Sequence, residues 1–221
     1  MNKQLVILMA SLLVITACAG EPTIDTTAEL THDGLAPINN SNFRDAWADP
    51  DIDFKQYNQI MLGAAEFEFR AVRKSATSAS MRRSGTDEFW IDDENRQKLI
   101  DTVTEAFREE LASAKGFTIT DTPGPETLIL VGALHDIVSR VPPDMLGRGE
   151  IYLASVGEAT LIIEARDSLS GETIYRAVDR QNAERMGDFI VANRVTTWAE
   201  VRRLASRWAT RLRTGLESIH E

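Results

Sequence analysis

The sequence contains very little cysteine and histidine. Of its 221 residues one is a cysteine, Cys18, and three are histidines, His32, His135 and His220. A single cysteine excludes an intramolecular disulfide, and histidines so far apart offer no spacing typical of a zinc or redox site. The sequence therefore predicts no metal site and no cofactor.

Positive charge and long apolar runs are also scarce. The 24 lysines and arginines face 34 aspartates and glutamates, which gives a formal net charge of −10. An acidic surface repels a phosphate backbone, so we expect no nucleic-acid binding. The apolar run at the N-terminus, Leu5–Ile15, is about half of the roughly 20 residues that a transmembrane helix needs.

That N-terminus has the pattern of a secreted lipoprotein. Lys3 precedes the apolar run, as in a signal peptide, and Ile15-Thr16-Ala17-Cys18 follows it. The tetrapeptide resembles the lipobox of bacterial lipoproteins, which implies diacylglyceryl transfer to the Cys18 thiol, removal of residues 1–17 and acylation of the new amino terminus. Ala19 follows Cys18 in place of aspartate, which in Gram-negative lipoproteins implies export to the outer membrane. We therefore expect a stable lipid anchor on the periplasmic side of that membrane.

Two other interpretations of this boundary stay open. Ala17-Cys18-Ala19 also fits the small-x-small pattern of ordinary signal peptidase, which would cut after Ala19 and release a soluble protein. Alternatively, Cys18 is simply a small buried residue. The position of the lone cysteine at the end of the apolar run favours lipid attachment.

Residues 18–50 are predicted to form a disordered acidic tether. Arg44 is their only basic residue, and large apolar side chains are few. Their acidic residues are Glu21, Asp25, Glu29, Asp33, Asp45 and Asp49. Residues 51–221 are then expected to form a single globular domain that stands clear of the lipid surface.

Two amphipathic helices and about five strands are expected in that domain. Glu94–Lys115 follows Asp92-Asp93, has an apolar stripe of helical period and stops at Gly116. Thr197-Trp198-Ala199-Glu200 has the pattern of a capping box that opens a second helix. The expected strands are Tyr57–Phe69, Phe117–Thr120, Thr127–Val141, Glu150–Arg166 and Glu172–Arg180. This order predicts an α+β or α/β fold, with one mixed, mainly antiparallel sheet and both helices packed on one face.

Three surface features are candidates for contact with a partner. Arg203, Arg207 and Arg211 repeat every four residues on one face of the last helix, where such a row either grips an anionic partner or is simply solvated. Met145 and Leu146 stand between prolines and glycines, as a docking tip or as residues folded back onto the body. The basic segment Arg70–Ser84 either contacts anionic lipid or is neutralised by the acidic stretch that follows.

The sequence has no pattern typical of an active site. His135 and Asp136 are adjacent, but neighbours in a strand point to opposite faces and cannot act on one substrate. Ser168 and Ser170 lie in a predicted turn without the strand–turn–helix context of a nucleophile. A non-enzymatic protein is therefore expected.

Several segments together resemble a known family. They are Trp47 with Asp49–Phe54 and Tyr57, then Gly157-Glu158-Ala159 with Ile163–Asp167 and Gly171-Glu172, then Trp198 with Trp208-Ala209 and Leu212. These segments resemble the proteobacterial lipoproteins grouped as "domain of unknown function 3313". The resemblance covers most of the mature chain and implies a lipid anchor and a single domain, without an activity.

The expected function is that of a lipid-anchored outer-membrane lipoprotein, a non-enzymatic binding or accessory component of an envelope assembly. Its expected partners are membrane lipid, through acylated Cys18, and an envelope protein or anionic envelope polymer. One alternative is a small-molecule or lipid-binding module, which requires a deep apolar pocket. Another is an envelope hydrolase, which requires converging acid and base groups.

Overall fold

The computed structural model describes residues 20–72, 88–142, 152–184, 190–191 and 193–220. The predicted signal peptide and lipobox, with Ile15, Thr16, Ala17 and Cys18, lie outside the described residues. So do Met145, Leu146 and most of the basic segment.

Within the described ranges the chain forms ten strands and two α-helices. The strands are β1 (Thr23–Ile24), β2 (Ala36–Asn39), β3 (Asp45–Ala48), β4 (Gln59–Phe69), β5 (Thr118–Ile119), β6 (Thr127–Ser139), β7 (Tyr152–Leu153), β8 (Gly157–Asp167), β9 (Thr173–Asn182) and β10 (Ile190–Val191). The helices are α1 (Asp93–Leu111) and α2 (Arg194–Glu217). Neither helix in this part of the chain combines the length and apolarity that crossing a membrane requires.

Eight of the strands form one sheet, in the order β1-β2-β3-β9-β8-β6-β4-β5. β4 runs parallel to β5 and β6, and the other neighbours are antiparallel. The α+β class and the mixed, mainly antiparallel sheet are therefore confirmed. The predicted number of about five strands is wrong, because β1, β2 and β3 extend the sheet at one edge.

These three added strands come from the segment predicted to be a tether. Large apolar residues are few there, but its small ones are buried: Ala36, Ala46 and Ala48 are all at most 4% exposed, and Leu35 is 1% exposed. Strand pairing uses the backbone, so alanine serves as well as a larger residue where the space is narrow. The prediction of disorder is therefore wrong for residues 23–48.

An ion pair fastens the same segment to the sheet. Arg176 on β9 donates from Nη2 to Oδ2 of Asp33 at 2.5 Å and from Nε to Oε1 of Glu164 at 2.9 Å. The hydrogen bond from Arg176, helped by one from Thr31, lowers the pKa of Asp33 to about 2. The acidic residues of this segment thus include a specific structural contact.

The core lies along one set of alternating sheet residues. On β8, every second residue from Gly157 to Ala165 is buried, whereas the intervening residues are only half-buried. Val103 of α1 and Trp208 of α2 belong to the same apolar cluster as Leu161. Both helices thus contribute to one core, and their predicted placement on one face of the sheet stays a prediction.

The helix boundaries differ from the predicted ones at two ends. α1 begins where expected, with the Asp92 side chain accepting a hydrogen bond from the Asn95 amide at 2.7 Å, but it ends at Leu111. α2 begins one turn before the predicted capping box. Asn193 caps it by accepting from the Thr196 amide at 3.0 Å. The predicted box beginning at Thr197 is therefore wrong.

Candidate functional site

The predicted arginine row lies on α2, and two of its members are paired with buried acids. Nη1 of Arg211 donates to Oδ2 of Asp179 at 2.9 Å, and Arg203 forms an ion pair with Glu200. Asp179 is 2% exposed and Glu200 is 1% exposed. A buried carboxylate needs such partners because burial removes its water.

Arg207 differs from its two neighbours in the row. Its Nη2 donates to the backbone oxygen of Asn182 at 3.4 Å, and the residue is half-buried. Arg207 therefore has the weakest internal attachment of the three. A role of the row in partner contact stays a prediction, and Arg207 is the member that is not paired with an acid among the described residues.

Trp208 completes the surroundings of the buried aspartate. Its indole Nε1 donates to the same Oδ2 of Asp179 at 2.8 Å. Two donors from one turn of α2 thus meet one carboxylate oxygen on β9. This arrangement holds the helix at a fixed position over the strand, and it pairs the partly exposed Arg211 side chain with a buried acid.

A cavity of about 380 Å³ opens beside Arg211, and we call it the amino-terminal cavity. Four parts of the chain surround it: the N-terminal segment before β4, β6, the β8–β9 pair and the last turns of α2. Its walls include Ile24, Phe43, Leu130, Tyr175, Leu216 and Ile219. Polar side chains, among them Asn42, Lys55 and Ser218, lie at its exposed rim.

Small residues on facing elements create this space. Across the sheet, Ala48, Tyr175 and Ala165 lie side by side in register, so an alanine flanks the tyrosine on each side. On the helix above, Gly215 has no side chain, and a Cβ added there would meet no heavy atom within 4 Å. The cavity is thus the volume that larger side chains at these positions would fill.

Tyr175 is a polar residue in the wall of the cavity. Within the part of the chain that the structure describes, its hydroxyl has no hydrogen-bond partner, and burial raises its pKa above the ordinary value. Tyr57 is different, because its hydroxyl donates to Oδ2 of Asp167 at 3.0 Å. Tyr175 is half-buried, so its hydroxyl is available to water or to a ligand that the protein itself does not provide.

A second cavity, of about 300 Å³, lies near the N-terminal ends of the two helices. Leu99, Val201 and Trp208 line it, together with Thr197, whose buried hydroxyl has no hydrogen-bond partner within the described residues. Its wall also includes Pro142 and Ala183, which stand close to the undescribed stretches after 142 and 184. The amino-terminal cavity is larger, and of its wall residues only Pro22 stands close to an undescribed stretch, so it is the better candidate site.

A cluster of compensated charges occupies the opposite end of β4. Arg70 holds Asp136 with two hydrogen bonds, Nε to Oδ1 at 2.6 Å and Nη2 to Oδ2 at 2.5 Å. These bonds lower the pKa of Asp136. Arg180 bridges Asp136 and Glu158, at 3.0 and 2.8 Å. Each of these acids faces at least one arginine. Arg70, the first residue of the basic segment, thus stabilises the sheet where β4 ends beside β6.

His135 and Asp136 have different partners, as their strand positions predict. Nδ1 of His135 lies 3.3 Å from Oε2 of Glu68, whereas Asp136 faces the arginines. Among the described residues, no group of three or more histidines, aspartates, glutamates or cysteines has a geometry that would hold a metal ion. Asp136 has a φ of 56°, because a bulge interrupts β6 between His135 and Val138.

The sequence analysis did not identify Asp179 or Tyr175. Both lie in the predicted strand Glu172–Arg180, in phase with the buried Ala177 and out of phase with Arg176. An aspartate in the buried phase of a strand is a signal for a structured polar contact, and this signal was present in the sequence. The cavity itself had no such signal, because alanines and a helical glycine are common residues.

The structure defines this chain as an α+β domain built on one large mixed sheet, with an open cavity at its amino-terminal edge. The family model described as "Protein of unknown function (DUF3313)" matches residues 29–212, and the chain belongs to that family. The resemblance noted in the sequence is thereby confirmed. No curated protein matches the chain.

Solved structures show distant similarity. A PelC dodecamer from Paraburkholderia phytofirmans is 9% identical, with a TM-score of 0.35, over 76% of this chain and 94% of that chain. A protein of family DUF330 from Xanthomonas campestris is 10% identical, with a TM-score of 0.40, over 74% and 86%. At these scores the likeness carries no argument about the role of this chain.

Proposed function

We propose that this protein is a lipid-anchored envelope lipoprotein that binds another envelope component and does not catalyse a reaction. The observation that carries the proposal is the small number of residues between the lipobox and the first strand of the fold. β1 begins at Thr23, five residues after Cys18. An extended chain of that length spans at most about 17 Å, so an acylated Cys18 holds the domain directly at the membrane surface.

This short connection changes the expected geometry of binding. A tether of about 30 residues would have let the domain reach partners far from the lipid. Strands β1 to β3 use that segment instead, and the amino-terminal edge of the sheet stays close to the anchor. The proposed partner is therefore a component at or near the inner surface of the outer membrane.

The pairing of charged groups supports binding over catalysis. Asp136, Glu158 and Asp179 each face an arginine, and the walls of the amino-terminal cavity are mainly apolar. General acid–base catalysis needs groups that are free to exchange protons with a substrate. Carboxylates held by arginines are poorly suited to that task, whereas such fixed pairs suit a rigid binding domain.

The anchor is tested by expressing the full chain in a Gram-negative host. We expect the intact mass of an acylated chain beginning at Cys18, in the outer-membrane fraction, and loss of both acylation and membrane partition in Cys18→Ser. Ala19→Asp serves as a matched control, since it should keep the acyl groups and alter the sorting. A soluble product beginning at Gly20 would overturn the anchor.

The partner is tested by crosslinking in intact envelopes. In the first experiment a photoreactive residue replaces Arg207 and should capture a specific envelope component. In the second, the photoreactive residue stands at a neighbouring exposed position, and Arg207→Glu should reduce the recovery of that component. Arg44→Glu, an exposed arginine of the N-terminal segment, is the control. Equal recovery with both variants would remove the arginine row from the proposal.

A further inference from the structure

We propose that the amino-terminal cavity binds a single-chain amphiphile, with its hydrocarbon chain along the apolar wall and its polar end group accepting a hydrogen bond from Tyr175. The volume of about 380 Å³ is within the range of small-molecule sites, roughly 300 to 1,000 Å³. Phe43, Leu130 and Leu216 are buried apolar residues of its wall and can contact the hydrocarbon chain. This inference goes beyond the proposed function, and it does not depend on acylation of Cys18.

The residues that leave the cavity open lower the stability of the folded protein. Protein interiors contain few voids larger than a water molecule, since unfilled space loses packing contacts. Gly215 lies inside α2, where glycine is among the least favourable residues for a helix. An alanine would fit there without a clash and would favour the helix. A glycine at this position therefore keeps open a space that a larger and more stabilising residue would occupy.

Tyr175 indicates that the ligand has a polar end. Tyr175 lines the cavity, and its hydroxyl has no hydrogen bond to the part of the protein that the structure describes. A purely apolar ligand would leave this hydroxyl without a partner and out of water, which is unfavourable. A ligand with an oxygen at one end satisfies the hydroxyl and fills the apolar volume at the same time.

The surrounding hydrogen-bond donors favour an end group that accepts hydrogen bonds over a cationic one. Arg211 lines the cavity and pairs with Asp179 through Nη1, which leaves its other N–H groups as donors for a ligand. Among the acids, Asp53 also lines the cavity. Lys55 stands at the rim and has no ion pair with any residue that the structure describes. A fatty acid or a fatty alcohol therefore fits this site better than a fatty amine.

The same hydrocarbon chemistry has a second source, the acyl chains expected on Cys18. Pro22 and Ile24 line the cavity, so the anchor is near it. An acyl chain attached at Cys18 would enter with its methyl end first, however, and its polar end would stay at the cysteine. The Tyr175 hydroxyl would then have no partner, which favours a free amphiphile as the ligand.

Binding is tested by calorimetry on the chain that begins at Gly20, made without its signal sequence so that no acyl group is present. The buried core runs from Leu35 to Leu216, so this form retains all of it. The probes are decanoate, decanol and decylamine, each below its aggregation concentration. We expect one-to-one binding of decanoate and decanol, and binding of decylamine that is at least about tenfold weaker.

Two variants locate the ligand. Gly215→Leu, which fills the cavity, should weaken decanoate binding more than tenfold without lowering the melting temperature. Gly132→Ala, where an added Cβ also meets no atom within 4 Å but which lies away from this cavity, should leave binding unchanged. Tyr175→Phe should weaken decanoate and decanol about tenfold, which is the effect of one lost hydrogen bond.

The outcomes distinguish a free amphiphile from the acyl chains on Cys18 as the ligand, and they test this site separately from the lipoprotein proposal. No binding of decanoate by the unacylated chain, or binding that Gly215→Leu leaves intact, would overturn the inference. Binding by the unacylated chain that is blocked in the acylated protein would assign the cavity to the protein's own anchor and would also overturn it. An absent anchor with decanoate binding intact would remove the lipoprotein proposal and leave this site standing.

Discussion

The indole Nε1 of Trp208 donates a hydrogen bond of 2.8 Å to Oδ2 of Asp179, and the two residues are 1% and 2% exposed. This bond connects α2 to β9 across the core of the domain. Leaving a buried carboxylate with fewer donors is costly, so the position of the helix depends on this contact.

Trp208→Phe should lower the free energy of unfolding by about 2–4 kcal/mol. The change removes the donor to Asp179 and also leaves space where the larger indole packed. Trp198→Phe is the control, because Trp198 is half-buried and lies beneath the Lys98 ammonium, 4.7 Å from the ring centre. Urea unfolding at pH 7 measures both, and equal losses would contradict a special role for the Asp179 contact.

Arg211→Met and Arg207→Met distinguish the two kinds of arginine on α2. Arg211 neutralises the buried Asp179, so we expect a loss of about 1–2 kcal/mol, moderated by the partial exposure of the guanidinium. Arg207 contacts only a backbone oxygen among the described residues, so its change should stay within about 0.5 kcal/mol. Urea unfolding measures both variants. A loss of unfolding free energy larger than this for Arg207→Met would show that the role of Arg207 is structural.

Gly157→Ala and Gly132→Ala compare two glycines on adjacent strands. A Cβ on Gly157 would lie 2.3 Å from the backbone oxygen of Val138, beside the bulge in β6, and backbone atoms have little room to move. A Cβ on Gly132 would meet no heavy atom within 4 Å. We expect Gly157→Ala to cost about 2–4 kcal/mol and Gly132→Ala to be neutral or slightly stabilising, as measured by thermal unfolding. A neutral Gly157→Ala would show that the bulge can shift.

Asp33→Asn should lower stability mainly above about pH 4. The pKa of Asp33 is about 2 in the folded protein, below the ordinary value of 3.8, so its contact with Arg176 stabilises the fold above the ordinary pKa and is lost as pH falls from about 4 to 2. The pair is near the surface, and we expect a loss of about 1 kcal/mol at pH 6 that shrinks toward pH 2.

Unfolding of both proteins from pH 2 to pH 7 measures this difference. Asp45→Asn changes an exposed carboxylate of the same segment and should have little effect at pH 6. A difference between Asp33→Asn and the parent that stays constant down to pH 2 would contradict the assignment.

The periodic elements were predictable from the sequence, for clear physical reasons. α1 and the strands β4, β6, β8 and β9 have apolar residues at helical or alternating spacing, and burial of those residues drives their formation. The strands β1, β2 and β3 are only two to four residues long, and the buried residues of β2 and β3 are alanines, so these strands show too little period to be recognised. The charge of this segment indicated disorder, although Asp33 pairs with Arg176 some 140 residues later.

The candidate site was less predictable than the fold. The arginine spacing correctly placed Arg203, Arg207 and Arg211 on one side of a helix, but it could not show that Asp179 lies against one of them. The amino-terminal cavity depends on three small residues, Ala48, Ala165 and Gly215, that come together only when β3, β8 and α2 are assembled. Space between elements is a property of the assembled fold.

The edge position of β1 has a mechanical consequence. A force applied through the anchor would reach the sheet at its outermost strand and would detach its strands one after another. The resistance would rise inward, since β1 and β2 share two residue pairs, β2 and β3 share two, and β3 and β9 share four. The amino-terminal strands would therefore yield to a pull on the membrane before β9, β8, β6 and β4 bear any load.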